Sequence, residues 1–364
     1  MEQWKEYKLG DISNMKYGKL PLKQNKGSYP IWSGYRNVGF ATTYNCRKGT
    51  IIVVARGVGG TGDVKISSED CFLTNLSIAV ELDNKICEPL YFYYKYKLSN
   101  LRYLDTGSAQ SQITIDDLKR LSLKLPPLEE QKCITEILSS IDYKIELNRR
   151  INDNLEQQAQ ALFKDWCDGC TETVEIGQIA TNVLDYTPNR NKQVRLINSS
   201  DITEGIFGEY PLVENINLKG HFKKRFKKGD ILYSEIRPRN HHYGYVLFDG
   251  DEYVISTRLM VIRNIPNMVS APVLYQYLLL PEVEEHFVLK TESRSGTFPQ
   301  GSYTDLATIR VPFAREQNNI TNSLDKIRQK IYSSQRENHY LTALRDALLP
   351  KLMSGELKID KVEM

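Results

Sequence analysis

Two long stretches of the chain carry apolar residues at alternating steps of four and three. The first runs Ile134, Leu138, Ile141, Ile145, then Leu155, Ala159 and Leu162. The second runs Ile320, Leu324, Ile327, Ile331, then Leu341 and Leu348. This spacing is a heptad seam. It predicts two helices of about 40 residues, each roughly 60 Å long at about 1.5 Å per residue. Both come after prolines, in LKLPPLEEQ from Leu123 and IRVPFAREQ from Ile309. Proline suits an extended approach and the first turn of a helix, where its missing N–H costs nothing. Glu130 with Gln131, and Glu316 with Gln317, mark the predicted helix starts and read as capping and dipole support. The two remaining regions alternate apolar and polar residues and are rich in Tyr, Ile and Val, which predicts strands.

The two helical stretches are copies of one another. EQKCITEILSSIDYKIELNRRINDNL from Glu130 aligns without a gap on EQNNITNSLDKIRQKIYSSQRENHYL from Glu316. Polar identities such as Gln131/Gln317, Thr135/Thr321 and Asn152/Asn338 persist beside the apolar ones. Weaker echoes precede each copy: KGTIIVVARG from Lys48 matches KGDILYSEIR from Lys228, and LGDIS at Leu9 matches IGQIA at Ile176. The expected fold is therefore α/β of the α+β kind. Two mixed α/β globules of about 110–140 residues, a normal domain size, are joined by two long helices paired as an antiparallel coiled coil, in a pseudo-twofold internal repeat. The boundaries read as 1–125, 126–170, 171–311 and 312–364. The expected pairing positions are Ile134, Leu138, Ile141, Ile145, Asn152 and Leu155 on one helix, and Ile320, Leu324, Ile327, Ile331, Asn338 and Leu341 on the other. Asn148 and Asn152 face Ser334 and Asn338 as a polar middle, of the kind that weakens a coiled coil but selects its register and partner.

Charge adds location. The 364 residues carry 48 Lys and Arg against 45 Asp and Glu, a net +3 too small to signal a polyanion partner. The run KGHFKKRFKK, Lys219–Lys228, holds six cations and no acid. Its phenylalanines, Phe222 and Phe226, suit a contact surface for nucleic acid. Lys16, Lys19, Lys23 and Lys26 form a looser basic stretch. From Glu129 to Glu156 there are seven acids and four bases, a face better matched to partner proteins than to phosphate. The start, Met1-Glu-Gln-Trp-Lys-Glu, is polar with no apolar stretch after it, and no run reaches the roughly 18 apolar residues of a membrane span. The six scattered cysteines then read as reduced thiols in the cytoplasm. Cys167 and Cys170 lack a second ligand pair, so no metal site is expected.

One stretch suggests chemistry. ARGVGGTGDVK, from Ala55, places Gly57, Gly59 and Gly62 in the order G-x-G-x-x-G. A dinucleotide or methyl-donor loop of this type needs a helix after the glycines. Here Asp63–Ser67 alternates as a strand does, so the run reads as a strand–turn–strand connection. Its counterpart, EIRPRNHHYGYV from Glu235, keeps one glycine and gains arginines. No nucleotide-triphosphate loop and no amino-methyltransferase motif is present. Asp230 with Glu235-Ile-Arg237 is a weak match to an acidic nuclease triad. His241 and His242, adjacent on an expected strand, point to opposite faces.

Taken together, these residues give a chain that resembles the specificity subunit of type I restriction-modification systems. The resemblance is carried by LPPLEEQKCITEILSSIDYKIELNRRINDNLEQQAQALFKDW and VPFAREQNNITNSLDKIRQKIYSSQRENHYLTALRDALLPKLMSGEL, with TGSAQSQIT, KGDILYSEIRP and LINSSDI. It implies that each globule is a target-recognition domain reading one half of a bipartite, asymmetric double-stranded DNA site, while the helices fix the spacer. It further implies no catalytic centre, metal or cofactor in this subunit. Two methyltransferase subunits using S-adenosylmethionine, and a restriction/translocase subunit using ATP and magnesium, would be partners. The expected DNA contacts are Lys48, Arg56, Ser108, Gln110 and Gln112 in the first domain. In the second they are Lys223, Lys224, Arg225, Arg237, Arg239, Asn240, His241, Arg294, Ser295 and Thr297. A scaffold of another defence system, or a cofactor-dependent enzyme using the Gly57–Gly62 loop, is the alternative.

Overall fold

The computed structural model describes residues 4–20, 26–34, 36–57, 60–105, 111–293 and 300–358. They divide into two compact units, one of residues 1–143 with 341–364 and the other of residues 144–340. The compact units do not end where globule gives way to helix, because each takes a share of both long helices into its own core.

In the first unit, β1 (Lys5–Lys8) pairs antiparallel with β9 (Ser122–Leu125) at the base of the globule. Four antiparallel strands form a sheet in the order β2 (Ser13–Tyr17), β8 (Ser77–Leu82), β5 (Ile51–Val54) and β6 (Val64–Ile66). A second sheet has the order β4 (Arg36–Ala41), β3 (Tyr29–Ser33) and β7 (Phe72–Leu73), with β3 parallel to β7. Strand β5, IIVV, is buried on both faces, which suits β-branched residues. Helix α1 (Pro89–Lys97) covers this sheet, and the short α2 (Ile115–Lys119) precedes β9. Then comes α3 (Leu128–Asp168), unbroken over 41 residues.

The second unit repeats the plan. Strand β10 (Glu172–Glu175) pairs with β21 (Arg310–Phe313), and α4 (Ile176–Ile179) comes directly after β10. The antiparallel sheet is β11 (Ala180–Asn182), β20 (Leu259–Asn264), β17 (Ile231–Ser234) and β18 (Tyr243–Tyr245), the same order of equivalents as in the first unit. The second sheet is β15 (Leu212–Glu214), β12 (Gln193–Ile197), β19 (Tyr253–Ser256) and β16 (Phe222–Lys224), again with one parallel pair, β12 with β19. The hairpin β13 (Ile202–Thr203) and β14 (Ile206–Phe207) is added. Helices α5 (Ala271–Leu278), α6 (Pro281–Glu292) and α7 (Tyr303–Ala307) precede β21, and α8 (Asn318–Ser354) closes the chain. Both α2 and α7 open with a capping box, Thr114 with Asp117 and Ser302 with Asp305, which satisfies two free backbone donors at each start.

The helices pair antiparallel inside each unit. In the first, Asp142 of α3 meets Arg345 of α8 at 2.7 Å, and Ile134 and Leu138 share a core with Leu349 and Leu352. In the second, Asn148 donates to Glu337 and Asn338, while Arg328 grips Glu156 with its two terminal guanidinium nitrogens. Ile134, Leu138, Ile141, Ile145, Ile320, Leu324 and Ile331 are buried, as the heptads require, with Ile327, Leu155 and Leu341 half-buried. Three expectations change. Leu162 is exposed and Phe163 takes the buried place, because Ala159 to Phe163 is a step of four onto the α5 face. Asn152 is not the amide that pairs: Asn148 does, and the side-chain oxygen Oδ1 of Asn152 is buried with no hydrogen-bond partner among the described residues. The Gln131 and Gln317 side chains do not cap, although at α8 the start falls where expected, with Glu316 accepting the Asn318 N–H at 3.2 Å. Helix α3 already begins at Leu128, and buried Gln131 takes the Glu88 N–H and donates to the carbonyls of Ile86 and Pro126. Gln317 lies just before α8 and donates to the carbonyls of Met268 and Ala314. Both glutamines tie helix to globule.

Candidate nucleic-acid interface

Each unit brings two loops together at equivalent places. In the first, the loop from β5 to β6 meets the segment before α2 through an antiparallel bridge of Arg56 with Gln112. Gln112 is steadied there, its N–H donating to Asp105 Oδ1 at 2.8 Å. In the second, Ile236 and Gln300 make the same bridge between the β17–β18 loop and the segment before α7. The Gly301 N–H donates to the Glu235 carbonyl at 2.7 Å beside it. The candidates Ser108, Gln110, Arg294, Ser295 and Thr297 lie outside the described residues.

In the glycine loop residues 60–62 form a turn, and Gly59 lies outside the described residues. Gly62 has φ +90°, and a Cβ there would sit 2.4 Å from the Arg102 nitrogen, so only glycine fits. The chain runs from Gly62 into β6 rather than into a helix, so the loop offers no helix N-terminus to a phosphate. Arg56 is half-buried and its Nε has no hydrogen-bond partner among the described residues. Lys48 is exposed, with its main-chain N–H on Asp70 at 2.8 Å.

The basic run of the second unit does not present one face. It enters β16, where alternate side chains point to opposite sides. Lys223 is exposed, whereas Lys224 is buried, with Nζ 2.8 Å from the Leu259 carbonyl and 3.7 Å from Glu235. Burial lowers the Lys224 ammonium below the usual lysine range, and Glu235 offsets this only in part. Phe226 is core, packed with Val246 and Ile255. Arg225 is half-buried, with its N–H on the Asp185 carbonyl and its guanidinium near Asp251. Lys224 and Phe226 are thus removed from the expected contact surface, and Arg225 is partly committed.

The nuclease-like acids are also committed. Buried Asp230 accepts hydrogen bonds from Nε and Nη2 of Arg263 at 2.6 and 2.7 Å, and Glu235 faces Lys224. No group of three or more His, Cys, Asp or Glu side chains suited to a metal ion occurs among the described residues.

The β17–β18 loop carries exposed Arg237, Arg239 and Asn240. Residues Pro238–Asn240 form a 3-10 turn, so His241 caps a turn and is not on a strand. His241 is held by Glu204 at 3.0 Å and Glu284 at 2.7 Å, and Arg239 by Glu292 at 3.0 Å. The hydrogen bond to Glu204 and the charge of Glu284 raise the His241 pKa, and its partial burial opposes them.

The family model described as "Type I restriction modification DNA specificity domain" matches residues 1–157 and 172–343, one copy on each half of the repeat. The chain belongs to this family of type I DNA specificity proteins. Among curated relatives it is 35% identical over 191 residues to the HindI specificity subunit of Haemophilus influenzae, a match covering 51% of this chain and 40% of that protein. It is 21% identical to the MjaIX specificity subunit of Methanocaldococcus jannaschii, over 99% of this chain and 95% of that one. The crystal structure of a type I S subunit from M. genitalium shares the fold, with a TM-score of 0.68, 19% identity and coverage of 99% and 97%. No helix among the described residues is long and apolar enough to cross a membrane.

As a type I specificity protein the chain holds its helices by polar groups that the heptad pattern does not reveal. Asp142 accepts hydrogen bonds from Tyr94 at 2.9 Å, Lys97 at 2.8 Å and Arg345. Arg328 lies between Glu156 and the Tyr275 ring, 4.9 Å from its centre. The repeat offers one signal: Asp142 and Arg328 occupy equivalent positions 186 residues apart, and each makes an ion pair with the other helix.

Proposed function

We propose that this chain is the DNA-recognition component of a type I restriction-modification complex. Each globule reads one half of a split duplex site through its paired loops. The reading rests on one observation above all: the bridge of Arg56 with Gln112 recurs as Ile236 with Gln300, so both units offer a two-loop head of the same construction. Two heads with different side chains fit an asymmetric site in which each half is read separately. Exposed Lys48, Lys223, Arg237 and Arg239 supply cations for phosphate and base edges.

The paired helices serve as the spacer and as the dock for two methyltransferase subunits, whose S-adenosylmethionine the complex uses on adenine; a restriction/translocase subunit would bring ATP and magnesium. In this reading the chain itself is non-catalytic and works in the cytoplasm. Mapping adenine methylation in a host that expresses the chain with its neighbouring genes tests it. A split motif with a fixed spacer is expected, with one half changing when residues 171–311 are exchanged for those of a relative. A contiguous motif, or none, overturns the reading.

A further inference from the structure

Six residues other than glycine have a left-handed backbone in the described chain: Asn100, Glu204, Asn217, Arg237, His241 and Asn267. Asparagine tolerates that region through its short polar side chain, whereas longer side chains meet a steric cost. The three that are not asparagine all belong to one cluster. Glu204 and His241 are joined twice, by the Glu204 N–H to the His241 carbonyl at 2.9 Å and by their side chains at 3.0 Å. Arg237 opens the turn that His241 closes, at φ +48° and +53°. The corresponding residue in the first unit is Gly57, where φ is +143° and a Cβ would meet nothing within 4 Å. Glycine would satisfy the backbone at position 237 without strain. The chain accepts strain there to keep an arginine, and strain concentrated at one loop marks a site where the side chain matters.

The surroundings hold the loop from several sides. Pro238 is buried, the Asn240 and His241 N–H groups close onto Arg237 and Pro238 carbonyls at 2.9 Å, and His242 Nδ1 lies 2.7 Å from the Ile202 carbonyl. His241 Nε2 reaches Glu284 of α6 at 2.7 Å, and Arg239 reaches Glu292 farther along the same helix. The side chain of Arg237 is exposed and makes no hydrogen bond or ion pair among the described residues. Among the described residues, the neighbours of this guanidinium on the loop are held by partners, while the guanidinium itself points into solvent.

We propose that Arg237 is a specificity-determining DNA contact of the second unit, and that His241, clamped between Glu204 and Glu284, is the positioning residue that fixes the loop for it. This rests on the DNA-recognition function proposed for the chain. An exposed guanidinium on a loop held in this way suits a bidentate contact to guanine O6 and N7. The clamp makes the contact depend on pH. The groups facing His241 are Glu204 from the β13–β14 turn, Glu284 from α6 and the Tyr243 ring of β18, with Arg239 next along the loop. The net effect raises the imidazole pKa, the Glu204 hydrogen bond first. A cationic His241 satisfies both carboxylates below that pKa. As pH rises through it, the proton leaves, one carboxylate loses its donor, and the loop loosens.

The test uses the full chain to enrich a randomised duplex pool, then titrates the enriched duplex and a scrambled one between pH 6 and pH 9. Arg237→Ala is expected to weaken the enriched duplex by roughly 5- to 100-fold, the range of one bidentate contact. It should also erase sequence preference at a position in one half-site, and leave the scrambled duplex within about 2-fold. His241→Gln is expected to bind several-fold more weakly than wild type at pH 6 and equally at pH 9. Glu284→Gln, which keeps a hydrogen-bonding group in place, should shift the wild-type midpoint to lower pH. NMR titration of the His241 ring without DNA gives an independent reading, with a midpoint above that of free histidine expected. Enrichment with an unchanged Arg237→Ala profile, or a His241→Gln pH profile parallel to wild type, overturns this inference alone. A pool that never enriches overturns the DNA-recognition reading as well.

Discussion

Asn148 of α3 donates its side-chain amide to the side-chain oxygen of Asn338 of α8 at 2.9 Å, in the seam between the helices. The same amide reaches Glu337 at 2.8 Å, and Asn338 in turn donates to the Ile145 carbonyl at 3.2 Å. Ser334, one turn earlier on α8, is buried as well. Shifting one helix by a turn would strand these groups without partners, so the layer selects register as well as partner. Asn148→Leu is expected to destabilise the protein by about 1–3 kcal/mol, the cost of orphaned buried polar groups. The double change with Asn338→Leu should recover much of that loss. Thermal melts decide it; a single variant that melts like wild type removes the layer from the account.

Gln131 stitches α3 to the first globule with three hydrogen bonds made in a fully buried place. Gln131→Leu leaves the Glu88 N–H and two carbonyls unpaired. A loss of about 2–4 kcal/mol is expected by urea unfolding, at roughly 1–3 kcal/mol per orphaned group with partial relaxation. Gln317→Leu, which frees only carbonyls, should cost less.

Adjacent lysines of β16 should behave differently. Lys223→Ala is expected to leave the melting temperature unchanged, lower DNA affinity and reduce the salt slope by about 1. Lys224→Ala empties a buried site and strips Glu235 of its cation, so it should lose stability by about 2–4 kcal/mol. Equal melting temperatures for the two variants would contradict the burial of Lys224.

Acid should loosen the helix pairing of the first unit. Burial alone would push the Asp142 carboxyl up, but hydrogen bonds from Lys97, Arg345 and Tyr94 outweigh it and hold it below the usual carboxylate range. A depressed carboxylate contributes stability above its unfolded pKa, about 4, and loses it as pH falls through the folded value. Asp142→Asn should therefore be less stable than wild type at neutral pH, with the difference shrinking in acid. A difference that stays constant from pH 7 to pH 3 would show that ionisation is not what the site uses.

The chain itself determined the duplication, the two long helices and the globule–helix–globule–helix order. These derive from period and repetition, which are local properties that every residue of the seam shares. It also determined that the glycines of the Ala55–Lys65 stretch join strands, because the alternation after Gly62 is local too. Tertiary structure decided what depends on distant partners. Lys224 and Phe226 read as surface in a basic run, yet pairing of β16 with β19 turns Lys224 inward, and Phe226, just past the strand, packs in the core with Val246 and Ile255. Phe163 displaces Leu162 because α5, more than 100 residues away, offers the face to be covered. Gln131 is a clamp only because the Ile86 carbonyl and the Glu88 N–H arrive beside it. The strained cluster at Arg237 depends on carboxylates from the β13–β14 turn and α6 meeting one histidine. Sequence spacing fixes which faces a segment has, and only the packed chain fixes what meets each face.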